Sequence, residues 1–252
     1  MPLVSIADGA LFAERHGSGP PRVLALHGWG RRGSDFAAVL SGLDALALDL
    51  PGFGASAPPP EALGASGYAD LIQPVFEMFD RAPVVVGHSF GGRVAVARQF
   101  HHPGSASGLV LVATPLLRRP GARRRPPWAF RLARMAHRAG LVPDEMMERQ
   151  RRRQGSADYR AATGVMRDVL VKAVNESYEE ELAALDVPVH LLWGSDDTEV
   201  PSWVAEEASR IISSSRSPVE LEVLEGVGHH VPVRAPEAVR RAVERMLARS
   251  DL

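Results

Sequence analysis

The sequence predicts an α/β fold, with helices on both faces of a mostly parallel, doubly wound β-sheet. The main observation is that short apolar runs rich in valine and leucine alternate along the chain with segments of helical spacing. A second observation is Asp8-Gly9, a dipeptide suited to a tight turn between two strand-like runs. Third, the interval 115–185 lacks a convincing strand, which predicts a helical insertion. With 252 residues, the chain is long enough for one such domain with a full core.

The elements follow from these patterns in chain order. LVSI and ALFAER flank the Asp8-Gly9 turn and predict an N-terminal antiparallel hairpin. The predicted parallel strands are 23–27, 45–50, 84–87, 109–114, 189–194 and 219–224. The predicted helices between or after them are 68–80, 94–100, 204–212 and 236–249. Alternation of this kind is typical of a parallel sheet covered on both faces.

The long interval predicts a second structural part. Its helical stretches include WAFRLARMAHRAGL and GVMRDVLVKAVNESYEEEL. Structureless loops of that length are uncommon, so we expect a helical cap, 115–185, inserted over one end of the sheet. The core would then consist of 1–114 and 186–252.

Composition excludes several classes of function. A net charge of -1 gives the whole molecule no electrostatic basis for binding nucleic acid or an anionic membrane. The absence of cysteine excludes disulfides, thiolate metal sites and a cysteine nucleophile. No apolar run approaches a membrane span and no signal-peptide pattern begins the sequence, so we expect a cytoplasmic protein. The histidine spacing predicts no metal site, and no cofactor-binding fingerprint is present, so we expect neither metal nor cofactor.

The stretch 87–91, GHSFG, has the form G-x-S-x-G. It lies between a valine-rich strand and an alanine-rich helix, which is the setting that gives this short pattern meaning. A nucleophile on such a turn adopts a strained backbone, and small residues must stand two positions before and after it. The pattern therefore predicts Ser89 as a nucleophile.

A serine hydroxyl needs a base that is oriented by an acid. On this kind of turn the partners follow the serine in the order acid, then histidine, each after a later strand. Asp196 and Asp197 follow the strand 189–194, and His229 and His230 follow the strand 219–224. The residues alone leave the choice within each doublet open.

With these motifs the chain resembles the α/β-hydrolase family, whose members commonly read G-x-x-D-x-x-x-P at the acid and G-x-G-H at the base. The stretches GSDDTEVP (194–201) and GVGH (226–229) fit these patterns. The resemblance therefore implies Asp197 as the acid and His229 as the base.

The stretch HGWG, 27–30, resembles the oxyanion loop of the same family. The resemblance implies that the backbone N–H groups of Trp29 and Phe90 would stabilise the oxyanion, each contributing about 2.7–4 kcal/mol. His27 is expected to support the loop by hydrogen bonding. The residues expected to line the substrate pocket are His27, Gly28, His88, Trp128 and Phe130.

The function these residues predict is that of a serine hydrolase acting on small-molecule carboxylic esters through an acyl-enzyme. A carbon–carbon bond hydrolase, an amidase, a thioesterase or a perhydrolase would use the same triad, because fold does not determine substrate. A non-catalytic ligand-binding protein of the same fold is an alternative from another class. Such proteins usually lack a triad member, and none is missing here.

The segment 118–153 holds twelve arginines and three acidic residues. It is either a solvated helix face or a docking surface for an acidic partner. HGWG, DLPGFGAS, GHSFGG and a helical cap together are similar to the esterases that demethylate pimeloyl-acyl-carrier-protein methyl ester. This resemblance implies an acidic acyl carrier protein as a partner at the arginine-rich segment.

Overall fold

The structure is a computed structural model that describes residues 1–118, 157–215 and 217–250. In this part of the chain, eight strands form one sheet: β1 Leu3–Ile6, β2 Leu11–His16, β3 Val23–Leu26, β4 Ala45–Asp49, β5 Val84–His88, β6 Gly108–Val112, β7 Val189–Gly194 and β8 Val219–Leu224. Their order across the sheet is β1-β2-β4-β3-β5-β6-β7-β8. β2 is antiparallel to both of its neighbours, and every later pair is parallel. The predicted hairpin and mostly parallel sheet are confirmed.

The helices connect the strands on both sides of the sheet. They are α1 Ala65–Leu71, α2 Gln73–Phe76, α3 Phe90–His101, α4 Ala157–Ala161, α5 Gly164–Ala173, α6 Glu179–Ala183, α7 Trp203–Ser213, α8 Val231–Arg234 and α9 Pro236–Ser250, with a 3₁₀-helix at Gly33–Phe36. The single helix predicted over 68–80 is wrong in detail, because two shorter helices, α1 and α2, meet at Ile72. Pro74 is the second residue of α2, in the first turn where its missing N–H is tolerated, and the same missing N–H prevents α1 from continuing.

The sheet separates two apolar cores. Leu24 and Leu26 of β3 belong to the core under α1, α3 and α7, whereas Val23 and Ala25 belong to the core under α9. Successive side chains of a strand point to opposite faces, so one apolar run supplies both cores. Burial on both faces explains why central strands such as β3 and β6 read as unbroken apolar runs rather than alternating ones.

The chain between β6 and β7 contains α4, α5 and α6 in its described portion. Arg93 of α3 connects this region to the sheet and its helices at two points. Its Nε–H donates to the carbonyl of Pro115, just after β6, at 2.8 Å, and its Nη1 donates to the carbonyl of Ala173 at the end of α5. The division into core and cap stays a prediction, and Trp128 and Phe130 lie outside the described residues. Among the helices within the described ranges, none has the length and apolar character needed to cross a membrane.

Candidate active site

Ser89 lies on the turn from β5 into α3 with φ 50° and ψ -112°. This left-handed backbone is strained for a residue with a side chain, by about 1–3 kcal/mol. Such strain is typical of the sharp turn that exposes a nucleophile at the carboxyl end of a strand.

The two glycines that flank the turn have no room for a side chain. A Cβ atom on Gly91 would lie 2.1 Å from the carbonyl oxygen of Leu26, and one on Gly87 would lie 2.6 Å from the Cα of Gly92. Both clashes are with main-chain atoms, which cannot move aside without shifting a strand or helix. The strained turn therefore depends on glycine at both positions.

Three predicted side chains come together at this end of the sheet. His229 Nε2 lies 3.1 Å from Ser89 Oγ, and His229 Nδ1 lies 2.8 Å from Asp197 Oδ2. An ionised carboxylate only accepts hydrogen bonds, so Nδ1–H donates to Asp197 and the unprotonated Nε2 accepts from the serine hydroxyl. This tautomer suits His229 to remove a proton from Ser89.

The geometry distinguishes the members of each doublet. The Asp197 side chain is fully buried, and its Oδ1 accepts the backbone N–H groups of Glu199 at 2.9 Å and Val200 at 2.8 Å. Asp196 instead is exposed and accepts from Ser195 Oγ. His230 is also exposed, whereas the side chain of His229 is 8% exposed.

His27 orients the first predicted oxyanion donor. Its Nε2 accepts the Leu50 N–H at 2.9 Å, so its proton is on Nδ1, which donates to the carbonyl of Gly28 at 2.7 Å. Burial lowers the pKa of His27, which keeps the ring neutral. In a trans peptide the C=O and N–H point in opposite directions, so the N–H of Trp29 points away from His27.

The oxyanion loop and the nucleophile turn are in close contact. A Cβ atom on Gly28 would lie 3.3 Å from the Cβ of Ser89, and the rings of Trp29 and Phe90 meet edge to face at 5.5 Å. Phe90 is the first residue of α3, so its N–H is among those that the helix leaves without an intrahelical acceptor. Both predicted donors are therefore on main chain adjoining Ser89.

A cleft of about 280 Å³ opens over Ser89 and His229. Of the residues predicted to line a substrate pocket, Gly28 and His88 line this cleft, whereas the fully buried His27 does not. Three charged residues that the sequence analysis missed also line it: Arg31, Asp158 and Glu199. Glu199 Oε2 lies 3.8 Å from His229 Nε2, and the side chain is 57% exposed. Its position two residues after the acid is the one sequence signal that could have identified it.

A second, more apolar cavity of about 250 Å³ adjoins the cleft and shares Trp29, Gly30 and Asp158 with it. Phe53 and Met166 also line it. Within the described ranges, no group of three or more histidine or acidic side chains is arranged to hold a metal ion.

The sequence model of the alpha/beta hydrolase family matches residues 23–242, which is most of the chain. The chain belongs to the alpha/beta hydrolase family. The eight-stranded sheet with its antiparallel second strand is the fold of this family.

Among its relatives, the chain is 41% identical over 108 residues to a pimeloyl-[acyl-carrier protein] methyl ester esterase of Chromobacterium violaceum. That match spans 41% of this chain and 41% of the relative, so it covers well under half of either protein. A monoacylglycerol lipase of Mus musculus is 25% identical over 90% of this chain and 76% of its own. The structure of an esterase from Thermogutta terrifontis has the same fold, with a TM-score of 0.67 at 23% identity over 99% of both chains.

Proposed function

We propose that this protein is a serine hydrolase that cleaves carboxylic esters through an acyl-enzyme. The observation that carries the proposal is the chain of hydrogen bonds from Ser89 through His229 to the buried Asp197, at 3.1 and 2.8 Å. Asp197 is fully buried, and two backbone N–H groups hold its carboxylate in one orientation. A carboxylate fixed in this way can orient the imidazole of His229 toward Ser89.

In the acylation half of the reaction, Ser89 Oγ attacks the ester carbonyl while His229 Nε2 takes the hydroxyl proton. Asp197 stabilises the resulting imidazolium through the Nδ1–H bond. Negative charge develops on the carbonyl oxygen, where the N–H groups of Trp29 and Phe90 would donate. The imidazolium then returns its proton to the leaving alcohol, which completes the acyl-enzyme.

In deacylation, water takes the place of the alcohol. His229 Nε2 removes a proton from that water as it attacks the acyl carbonyl, and the same backbone donors stabilise the second oxyanion. Collapse of the intermediate expels Ser89 Oγ, which recovers its proton from the imidazolium.

A methyl ester carried by an acyl carrier protein is the second candidate substrate. The 41% identity to the Chromobacterium esterase supports it, although over only 41% of each chain. The arginine excess of the segment 118–153 also supports it, since clustered arginines attract acidic partners and pair with carboxylates and phosphates.

The first experiment compares wild type with Ser89→Ala on p-nitrophenyl esters from acetate to laurate. Turnover that vanishes in folded Ser89→Ala would support the proposed esterase activity. The acyl-chain length with the highest turnover would indicate how long an acyl group the cavities beside Ser89 accommodate. A fluorophosphonate probe that labels wild type but not Ser89→Ala would establish a nucleophilic serine independently of the substrate. Folded wild-type protein that is neither labelled nor active would refute a serine hydrolase and favour a ligand-binding protein.

The carrier hypothesis needs its own substrates. A methyl-ester acyl group is presented on acyl carrier protein and on free pantetheine, and kcat/KM is compared at low and high salt. A preference for the protein-bound form that salt abolishes would indicate electrostatic docking. Equal rates on both forms would exclude the carrier as a recognised partner.

A further inference from the structure

His88 is a second histidine in the site, and the proposed chemistry gives it no role. Its side chain is buried, and its Nε2 lies 2.9 Å from the backbone carbonyl oxygen of His229. A carbonyl only accepts hydrogen bonds, so the proton of the neutral ring is on Nε2 and is donated to His229. The same carbonyl also accepts the N–H of Val231 at 2.9 Å.

The other edge of the ring lies against the oxyanion loop. A Cβ atom on Gly28 would be 2.7 Å from Nδ1 of His88 and 3.1 Å from its Cε1. The imidazole therefore fills the space between the loop that carries Trp29 and the loop that carries His229. Any shift of this ring would alter the separation of these two loops.

Burial, and then the neighbouring His229, lower the pKa of His88 to about 3. The ring stays neutral when His229 becomes protonated, so it adds no positive charge beside the imidazolium. It therefore keeps the same hydrogen bond to the carbonyl of His229 through both halves of the reaction.

We infer that His88 is a positioning residue that fixes the distance between His229 and Ser89. The inference rests on the proposed function, since it assigns a role to His88 only if Ser89 and His229 react as a pair. His88 and Ser89 are adjacent in sequence, at the end of a central strand that parallel neighbours hold on both sides. The hydrogen bond from His88 to the backbone of His229 therefore connects the loop that carries the base directly to the end of this central strand.

The test compares His88→Gln with His88→Met. Glutamine carries an amide N–H at about the reach of the histidine Nε2–H, and methionine has nearly the same length and no donor. We expect kcat on p-nitrophenyl butyrate to fall about 10- to 100-fold in His88→Met with KM changed less than about threefold, because small misplacements of reacting groups have effects of this size. His88→Gln should stay within about threefold of wild type in kcat. The rate of fluorophosphonate labelling should follow the same order.

His190 provides the matched control. It is also a buried histidine whose pKa is lowered by burial, but it lies on β7 facing Glu220 and Glu222, away from the cleft. His190→Gln and His190→Met should therefore have equal kcat, whatever their effect on stability. If His88→Gln and His88→Met also have equal kcat, or if His88→Met changes KM alone, the positioning role is refuted.

A wild-type measurement keeps the inference testable if His88→Met does not fold. Nitrogen-15 spectra of the histidine rings, with the signals assigned, should show the His88 ring with its proton on Nε2. That ring should not titrate between about pH 5 and pH 8. A ring at His88 with its proton on Nδ1, or one that titrates in this range, would overturn the inference. Failure of the proposed function would look different, because wild type would then show neither labelling nor turnover.

Discussion

Acidification from about pH 8 to about pH 5 should destabilise this protein, and we expect His88 to account for about 2 kcal/mol of the lost free energy of unfolding. Burial and the adjacent imidazole of His229 lower the pKa of His88 to about 3 in the folded protein. In the unfolded chain the same ring titrates near its ordinary value of about 6.5. Between these values the unfolded state binds a proton that the folded state excludes, so the free energy of unfolding falls as the pH falls.

The magnitude follows from the two pKa values. A pH of about 5 lies about 1.5 units below the pKa of the ring in the unfolded chain and well above its pKa in the folded protein. Between the two pKa values, each pH unit lowers the free energy of unfolding by about 1.4 kcal/mol. The contribution of His88 at this pH is therefore about 2 kcal/mol, and it vanishes above about pH 7.5. Burial also lowers the pKa of His16, His27 and His190, so their contributions have the same sign.

Urea unfolding of wild type and His88→Gln at about pH 8, 6.5 and 5 isolates the effect of His88. Glutamine does not titrate and the other histidines are common to both proteins, so their contributions cancel. The difference in unfolding free energy should shift by about 2 kcal/mol in favour of the variant between about pH 8 and pH 5. Parallel pH profiles for wild type and His88→Gln would refute a neutral buried ring.

Three further predictions concern other parts of the site. Asp197→Asn should lower kcat by about 10⁴-fold with little change in KM, because an amide can leave His229 in the wrong tautomer. Steady-state kinetics on a p-nitrophenyl ester would measure this, and a loss of kcat under about tenfold would count against the triad. Gly91→Ala should destabilise the fold by about 3 kcal/mol or more in urea, because its methyl would meet the carbonyl of Leu26, whereas Gly228→Ala, with its nearest contact at 3.8 Å, should cost less than about 1 kcal/mol. Arg93→Met should lower the free energy of unfolding in urea by about 2–4 kcal/mol, because the carbonyl groups of Pro115 and Ala173 lose their charged donor. Unchanged stability would contradict this anchoring role of Arg93.

The fold was predictable from the sequence because both cores draw on the same strands. A strand buried on both faces is apolar at nearly every position, so runs such as 84–87 and 109–112 were visible without any knowledge of their neighbours. The segment 68–80 was predicted as one helix because its apolar spacing continues past Pro74, whereas the proline separates α1 from α2 at Ile72.

The site was predictable only where its chemistry has a local signature. Ser89 could be identified from its flanking glycines, since the strain of the turn is a local property. Arg31 and Glu199 reach the cleft from two separate loops and Asp158 from helix α4, and no spacing in the sequence brings the three together. The choice of Asp197 over Asp196 depended on a family pattern, because burial and backbone donors decide it and both arise from tertiary structure.

Three histidines at the site show how environment assigns different roles to one residue type. His27 and His88 each donate a ring proton to a backbone carbonyl, of Gly28 and of His229 respectively, and burial lowers the pKa of both. His229 donates to a carboxylate instead, which leaves its Nε2 free to face the hydroxyl of Ser89. The acceptor that each ring meets fixes its tautomer, and the tautomer decides whether the ring supports the backbone or is suited to take a proton. Of the three rings, His229 is therefore the one whose position suits it to act as the base, and the other two are suited to hold the loops against which it works.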